Sequence, residues 1–445
     1  MKWLRLVPRF WVILALCGWA LIAYLWRRIA LARATAAKVE RLRGAVLAHL
    51  LEQLGATFVK FGQILSTRPD LFGPGYTEEL ARLQDAVPAA RFAVMKRVLD
   101  EELDAAHLAR LTHIEPVPVA AASVAQVHEG RLESGERVAL KVQRPEARSQ
   151  IERDFAILGF GARLLDALPS LKPLSLPGAV TRFRDALHAQ LDFRIEAQNN
   201  RRFAKNFAAV EGVAVPRLFD DLCTERVLTM EFIDGIKATE AERVAGNRER
   251  LAQSGARSIL KMVFVDGFVH ADLHPGNIIL GDDGRVVMID FGVVSEIPRD
   301  LLRPWVELFM ALARRDGKTA ARLFYVHAPS VQDTDFASFE RDVMAYFETL
   351  YGKTLVEVEV SKAVGGLMNV LREHRVQVDD TFTVVNIALL VAEGLGKQLD
   401  PTIDLVPLAL PYLQQALIDA PPARAPLRKI DGETRTAEAT VPTEG

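Results

Sequence analysis

The chain has 445 residues, 50% hydrophobic and 25% charged, with 55 basic against 57 acidic side chains and a formal net charge of −2. That balance describes a globular protein with room for two or three core-sized units and gives no general case for a nucleic-acid partner. Two cysteines, Cys17 and Cys223, are too few for a disulfide framework or a cysteine zinc site.

The N-terminal stretch Phe10–Trp26 contains no charged residue and is flanked by Lys2, Arg5 and Arg9 before it and Arg27 and Arg28 after it. As a helix it reaches about 25 Å, the short end of what crosses a bilayer. Trp11, Trp19, Tyr24 and Trp26 suit an interfacial belt, although Trp19 is mid-run. The heavier basic flank, continued by Arg33, Lys38, Arg41 and Arg43, leaves the bulk of the protein cytoplasmic. A cleaved signal peptide or an interfacial helix are the alternatives.

Val39–Ile64 carries apolar residues at helical spacing, and Lys60 and Gln63 share one face of it. Pro116 and Pro118 then break the helical pattern. Val119–Val127 leads into a hairpin turning near Glu133–Glu136, with Val138–Val142 as the return strand. Lys141 in that apolar strand calls for a partner, and V-A-L-K matches the kinase strand whose lysine contacts the α- and β-phosphates. The preceding loop, Ala120, Ala121, Ala122, Ser123, Val124, Ala125 and Val127, keeps the spacing of a kinase glycine loop. Alanine stands at each glycine position. Thr181–Phe207 reads as the helix that supplies a carboxylate to Lys141, with Asp192 and Glu196 as candidates on one face. Val227–Phe232 reads as a buried strand before Asp234-Gly235, where backbone groups at Glu231–Ile233 would reach adenine.

Residues 270–291 carry the densest signal. Asp272 and Asn277 have the kinase catalytic-loop spacing, and Asp290-Phe291-Gly292 follows as a D-F-G triplet. Ile278–Leu280 and Val286–Ile289 flank a two-residue turn at Asp283-Gly284. A turn centred there sets Asn277 directly opposite Asp290, two oxygen ligands suited to Mg²⁺. Asp272 is placed to orient or deprotonate a hydroxyl. Downstream, Phe339, Val343, Phe347 and Leu350 read as core helix. Phe382–Leu399 is apolar but carries Glu393 and Lys397, too polar for an obvious span.

Taken together these segments resemble the UbiB (aarF-type) protein-kinase-like family from about Leu54 to Pro401. Lys60-Phe61-Gly62-Gln63 with Leu65–Asp70 resembles its KxGQ helix, Ala120–His128 its Ala-rich loop, Lys141 its V-A-x-K strand and Leu191–Asn199 its helix C. His270–Asn277 and Asp290–Gly292 resemble its catalytic and metal motifs. Two departures stand out: Gln190 replaces the Glu of an E-x-D motif completed by Asp192, and Ala125 stands where Gly is common.

The resemblance implies an α+β, bilobal protein-kinase-like fold with a helical N-terminal extension and an N-terminal membrane helix. The expected organisation is an anchor at 1–28, an extension at 29–115, an N-lobe at 116–235, a C-lobe at 236–420 and a disordered tail at 421–445. It implies Glu196 as the partner of Lys141, Lys60 and Gln63 pointing into a nucleotide pocket, and ATP and Mg²⁺ as cofactors. The implied activity is ATP hydrolysis at a bacterial inner membrane in support of ubiquinone biosynthesis, with membrane lipids and quinone-biosynthesis enzymes as partners. A small-molecule or lipid kinase and a nucleotide-binding scaffold without turnover are the competing readings.

Overall fold

The computed structural model describes residues 7–31, 34–66, 72–83, 88–167, 175–281, 283–332, 334–349, 360–419, 421 and 425–430. Thr67–Asp70 of the KxGQ segment and Leu350 lie outside those residues. The chain opens with helices α1 (Val7–Ala30), α2 (Ala36–Leu54), α3 (Ala56–Ser66), α4 (Pro74–Leu80), α5 (Phe92–Glu102) and α6 (Ala105–Ala109). The run expected as one helix over Val39–Ile64 is two. Gly55, at φ +92°, separates α2 from α3 in a conformation that side-chain-bearing residues avoid, although the apolar period continues across it.

Strands β1 (Leu111–Ile114), β2 (Ala120–Ala121), β3 (Ala125–Leu132), β4 (Arg137–Gln143) and β6 (Val227–Glu231) form an antiparallel sheet in the order β1-β3-β4-β6, with β2 on β3. Alternation along β4 sorts its side chains. Val138, Leu140 and Val142 pack with Met95, Val98 and Leu99 of α5. Ala139 belongs to the opposite layer, with Ala125, Phe193 and Ala197, and Lys141 shares its parity.

Helices α7 (Ala147–Asp166), α8 (Leu176–Gln190) and α9 (Phe193–Phe207) follow the sheet's first hairpin. The helix expected over Thr181–Phe207 is therefore also divided. Asp192 leaves the helical path and caps α9, its carboxylate accepting from Arg194 N at 3.1 Å. The backbone groups released by the break find tertiary partners: Gln143 donates to Leu191 O at 2.6 Å, and Phe193 N donates to Glu225 O at 3.0 Å.

The second layer holds β5 (Val213–Ala214), β7 (Gly235–Lys237), β8 (Phe268–His270), β9 (Ile278–Gly281), β10 (Val286–Met288) and β11 (Val294–Glu296). They form a sheet β5-β10-β9-β7 and a pair β8-β11. Helices α10 (Arg248–Lys261), α11 (Arg299–Arg314), α12 (Gly317–His327), α13 (Phe336–Glu348), α14 (Val360–Glu373), α15 (Asp380–Leu399) and α16 (Leu405–Asp419) complete it. This is the α+β arrangement the sequence predicts. Phe339, Val343 and Phe347 enter one buried cluster as expected. The tail is not free from residue 421 onward: Leu427 N donates to Val326 O and Arg428 to Ala328 O, each at 2.8 Å.

The hairpin register corrects one expectation. β9 and β10 pair Ile278 with Met288, Ile279 with Val287 and Leu280 with Val286, one residue away from the predicted register. Ile289, not Asp290, lies opposite Asn277 and donates to its carbonyl at 2.9 Å. The loop closes between Gly281 and Arg285, with Gly284 at φ +81°, so it has an odd number of residues where a two-residue turn was expected.

Among the described residues two helices are long and apolar enough to cross a membrane by length and composition, Val7–Ile29 and Thr381–Leu399. The second is a core helix: 61% of its apolar window is buried, and Glu393 pairs with Lys397 at 2.9 Å.

Candidate functional site

The two layers meet at Lys141. Its ammonium lies 2.8 and 2.9 Å from the two carboxylate oxygens of Glu196 and 3.1 Å from Asp290. Glu196 falls on the buried stripe of α9 with Phe193, Asn200 and Phe203, so helical spacing points it at the sheet face that carries Lys141. Asp290 arrives from the end of β10. It adopts φ +61°, and its Oδ1 accepts from Gly292 N at 3.3 Å. Asn199, one turn beyond Glu196, donates to Phe291 O at 2.9 Å. The Phe291 ring is buried and stacks on Phe203 at 4.7 Å, so α9 grips the Asp290–Gly292 segment by both backbone and ring. Asn199 carries no signal of its own in the sequence beyond its spacing from Glu196.

One lysine stands between two acids, and the titration of all three follows. Burial disfavours the Lys141 cation, but the charges of Asp290 and Glu196 outweigh it and raise its pKa. Burial also opposes ionisation of Asp290, yet the ammonium groups of Lys141 and Lys60 hold its carboxyl well below the usual range. Glu196, buried and facing the Asp290 charge, is pushed up to about 7 despite its bond to Lys141. Asp290 is partly exposed and has two cations acting on it, whereas Glu196 is buried with Lys141 alone, so Glu196 is the carboxylate that retains its proton more tightly.

Lys60 thus reaches the site from α3. Gln63 does not: its amide turns away and donates to Leu83 O at 3.2 Å. Asn277 is buried, and its Nδ2 donates to Asp272 O at 3.0 Å, which leaves the amide oxygen as the atom suited to a cation. Asp272 itself is exposed. Buried His270 makes a 3.1 Å bond between Nε2 and Ile289 O and has a lowered pKa through burial, so the ring is neutral and donates. Among the described residues no group of three or more His, Cys, Asp or Glu gathers. Asn277 and Asp290 offer two oxygen donors, which suits Mg²⁺, an ion that keeps waters and phosphate oxygens as its remaining ligands.

The Ala-rich loop is not a phosphate cradle as it stands. Ala120 and Ala121 pair with Val127 and Gln126 of β3, and Ala122 N donates to Ala125 O at 2.8 Å. Arg144 clamps the turn, its Nε donating to Ala122 O and its backbone N to Val124 O, both at 2.8 Å. Ser123 is buried in that turn. Val124 packs in the cluster that also receives Phe61 of α3, so the loop abuts the extension. At the other rim, Glu231 N and Phe232 N already donate inside the fold, to Arg217 O and Arg137 O. Asp192, the second carboxylate candidate, is the α9 cap and pairs with Arg194.

The ABC1 atypical kinase-like domain matches residues 82–324, more than half of the chain, and the UbiB helical domain matches residues 343–404. The chain belongs to the UbiB family of atypical kinase-like proteins. A probable protein kinase UbiB of Shewanella halifaxensis is 32% identical over 385 residues, 84% of this chain and 70% of the relative. That of Shewanella piezotolerans is 31% identical over 400 residues, 88% of this chain and 73% of the relative. Among solved structures, Rv3197 of Mycobacterium tuberculosis, described as a complex with erythromycin, superposes with a TM-score of 0.50 at 24% identity. The match covers 79% of this chain and 94% of that one, and the likeness concerns the fold. The UbiB family is kinase-like and tied to ubiquinone biosynthesis.

Proposed function

We propose that this UbiB-family protein is a membrane-tethered ATPase of kinase-like architecture that uses Mg²⁺-ATP in support of ubiquinone biosynthesis. One observation carries the reading: Lys141 on β4, Glu196 on α9 and Asp290 after β10 meet within 3.1 Å. Lys141, held by Glu196, contacts the α- and β-phosphates. Asn277 and Asp290 hold Mg²⁺, which neutralises charge developing on the phosphoryl oxygens when bound. Asp272, exposed at the mouth, orients the attacking hydroxyl of water or of a small lipid-like acceptor and accepts its proton. The backbone at Glu231–Ile233 lies at the adenine end, with Ile233 as the rim residue whose N–H would be called on. Lys60, whose charge acts on Asp290, would meet the nucleotide phosphates from the side of α3. Quinone-biosynthesis enzymes are the expected partners.

The test is phosphate release from MgATP by the full chain in the presence of vesicles, with phosphorus NMR of the products. Free phosphate that disappears in Lys141→Met and Asp290→Asn supports the ATPase. A phosphorylated lipid or metabolite without free phosphate converts the reading to a small-molecule kinase, and nucleotide binding with neither product overturns turnover altogether.

A further inference from the structure

Helix α1 has two apolar faces, and each has its own reason. One face is docked. Arg9, Ile13, Leu16, Ala20 and Tyr24 recur at helical spacing and are only partly exposed. Ile13 and Leu16 pack against the cluster of Leu51, Leu54 and Phe58, and Tyr24 OH meets Arg43 Nε at 3.1 Å. At the start of the helix Arg9 donates to Leu54 O at 2.5 Å and to the fully buried carboxylate of Asp154 on α7 at 2.8 Å. Contacts at both ends make α1 and α2 an antiparallel hairpin along their whole length.

The other face is bare. Trp11, Trp19 and Trp26 are 60%, 67% and 78% exposed, and Leu14, Ile22, Leu25 and Ile29 are exposed with them. The tryptophans are spaced by eight and seven residues, so they form one stripe from end to end. A spanning helix would place tryptophan at its two ends, where the interfaces are. A stripe along the full length keeps every indole at one depth, as in a helix lying in the interfacial plane. The docked geometry also opposes spanning. α2 carries Lys38, Glu40, Arg41, Arg43 and Glu52, and an α1 that crossed the bilayer in this arrangement would draw them into hydrocarbon. Each such charge costs roughly 2.5–3.5 kcal/mol at mid-bilayer on insertion scales. Arg27 and Arg28 close the helix at the level where anionic headgroups would lie.

We propose that α1 is an in-plane interfacial helix, docked on α2 by Arg9 and seated on one leaflet of an anionic bilayer through the Trp11–Trp19–Trp26 stripe. This rests on the membrane-tethered reading above and specifies its geometry. Its high apolar content reflects two contacts, protein on one side and lipid on the other, rather than a full crossing.

The experiment uses the full chain with vesicles of equal phosphatidylcholine and phosphatidylglycerol. Lipids brominated near the headgroup or near the chain end report indole depth, and a protease probes epitopes at both termini of the protein inserted in native membranes. Trp305, buried and stacked on Phe382 at 4.7 Å, reports on the intact fold. In-plane seating is expected to give similar losses of shallow quenching for Trp11→Phe, Trp19→Phe and Trp26→Phe, with both epitopes on one side. Deep quenching lost only in Trp19→Phe, or epitopes on opposite sides, overturns the in-plane geometry while tethering stands. A protein that does not sediment with vesicles overturns both. A lipid-free dimer whose indole emission is unmoved by vesicles overturns the lipid assignment in favour of a second copy of this chain.

Discussion

Two charge clusters join distant parts of this chain, and they differ in their balance. Arg9 and Asp154 are one cation and one anion, closing α1 onto α7. Lys141 lies between Glu196 and Asp290, with the charge of Lys60 also acting on Asp290, and together they close the sheet onto the β9-β10 hairpin. The first cluster is complete in itself and reads as a fastening. In the second the two carboxylates share Lys141 unequally, and the inequality is visible in Glu196, which burial and the Asp290 charge push up to about 7. The same ion-pair chemistry thus yields a closed fastening where one cation meets one anion and a proton-sensitive cluster where two acids share one lysine.

Removing the cation of the balanced pair should cost most. Arg9→Leu leaves Asp154 buried and unpaired, and the expected loss is about 3 kcal/mol, the low end for a broken buried pair because Arg9 is 24% exposed. Adding Asp154→Asn should recover most of it in chemical denaturation. If Arg9→Leu melts like the parent, the fastening reading fails. Deletion of residues 1–28, which removes a helix expected from sequence to be a detachable anchor, should for the same reason lower the melting temperature.

At the unbalanced cluster the largest effect should appear with ligand. MgATP at a hundredfold excess over its Kd stabilises a binding protein by about 2.7 kcal/mol. Asp290→Asn should abolish that magnesium-dependent thermal shift, and an unchanged shift would remove Asp290 from the metal site.

A pH series without nucleotide gives the next effect. The folded-state pKa of Glu196 lies above its ordinary value of 4.5, at about 7, so the folded protein holds that proton more tightly than the unfolded chain does. Its contribution is complete below about 4.5 and is lost as pH rises through about 7. Asp290, held low by Lys141 and Lys60, keeps its charge throughout that window. The melting temperature of the parent should therefore fall relative to Glu196→Gln between these limits, and parallel curves would contradict the raised pKa of Glu196.

The smallest effect concerns the Ala-rich turn. Ala122 N–H and C=O are both engaged, with Ala125 and Arg144. Ala122→Gly should thus loosen the turn by roughly 0.5–1 kcal/mol without tightening MgATP binding. Tighter binding in calorimetry would mean that the loop does cradle phosphate.

The unbalanced cluster was the more legible of the two. Lys141 is conspicuous in an apolar strand, and Glu196 and Asp290 sit in motifs that name them. Local periods then suffice to aim Lys141 and Glu196 at one another. The balanced pair was invisible, because Asp154 in Arg148–Leu164 looks like any acid on an amphipathic helix and Arg9 like part of a basic flank. Only the tertiary fold brings Leu54 and Asp154 together around that guanidinium. Errors of one residue came from backbone choices that composition does not dictate. An odd-membered loop shifted the register at Asn277, Gly55 cut a continuous apolar pattern, and Asp192 preferred capping a new helix to extending the old one. Gln63 shares a helix face with Lys60 in the sequence, yet its amide is drawn off by Leu83 O.

Asp290 sits at φ +61°, a region that charges an L-residue about 1 kcal/mol and a glycine nothing. Asparagine enters it readily as well. Glycine would relax the backbone, and either replacement would remove the charge that faces Lys141. A library of variants sorted for heat resistance alone would therefore be expected to drift toward glycine at this position. If the proposed ATPase holds, screening for phosphate release would keep the aspartate in place, and the split between the two selections would mark residue 290 as one kept against the preference of its own backbone.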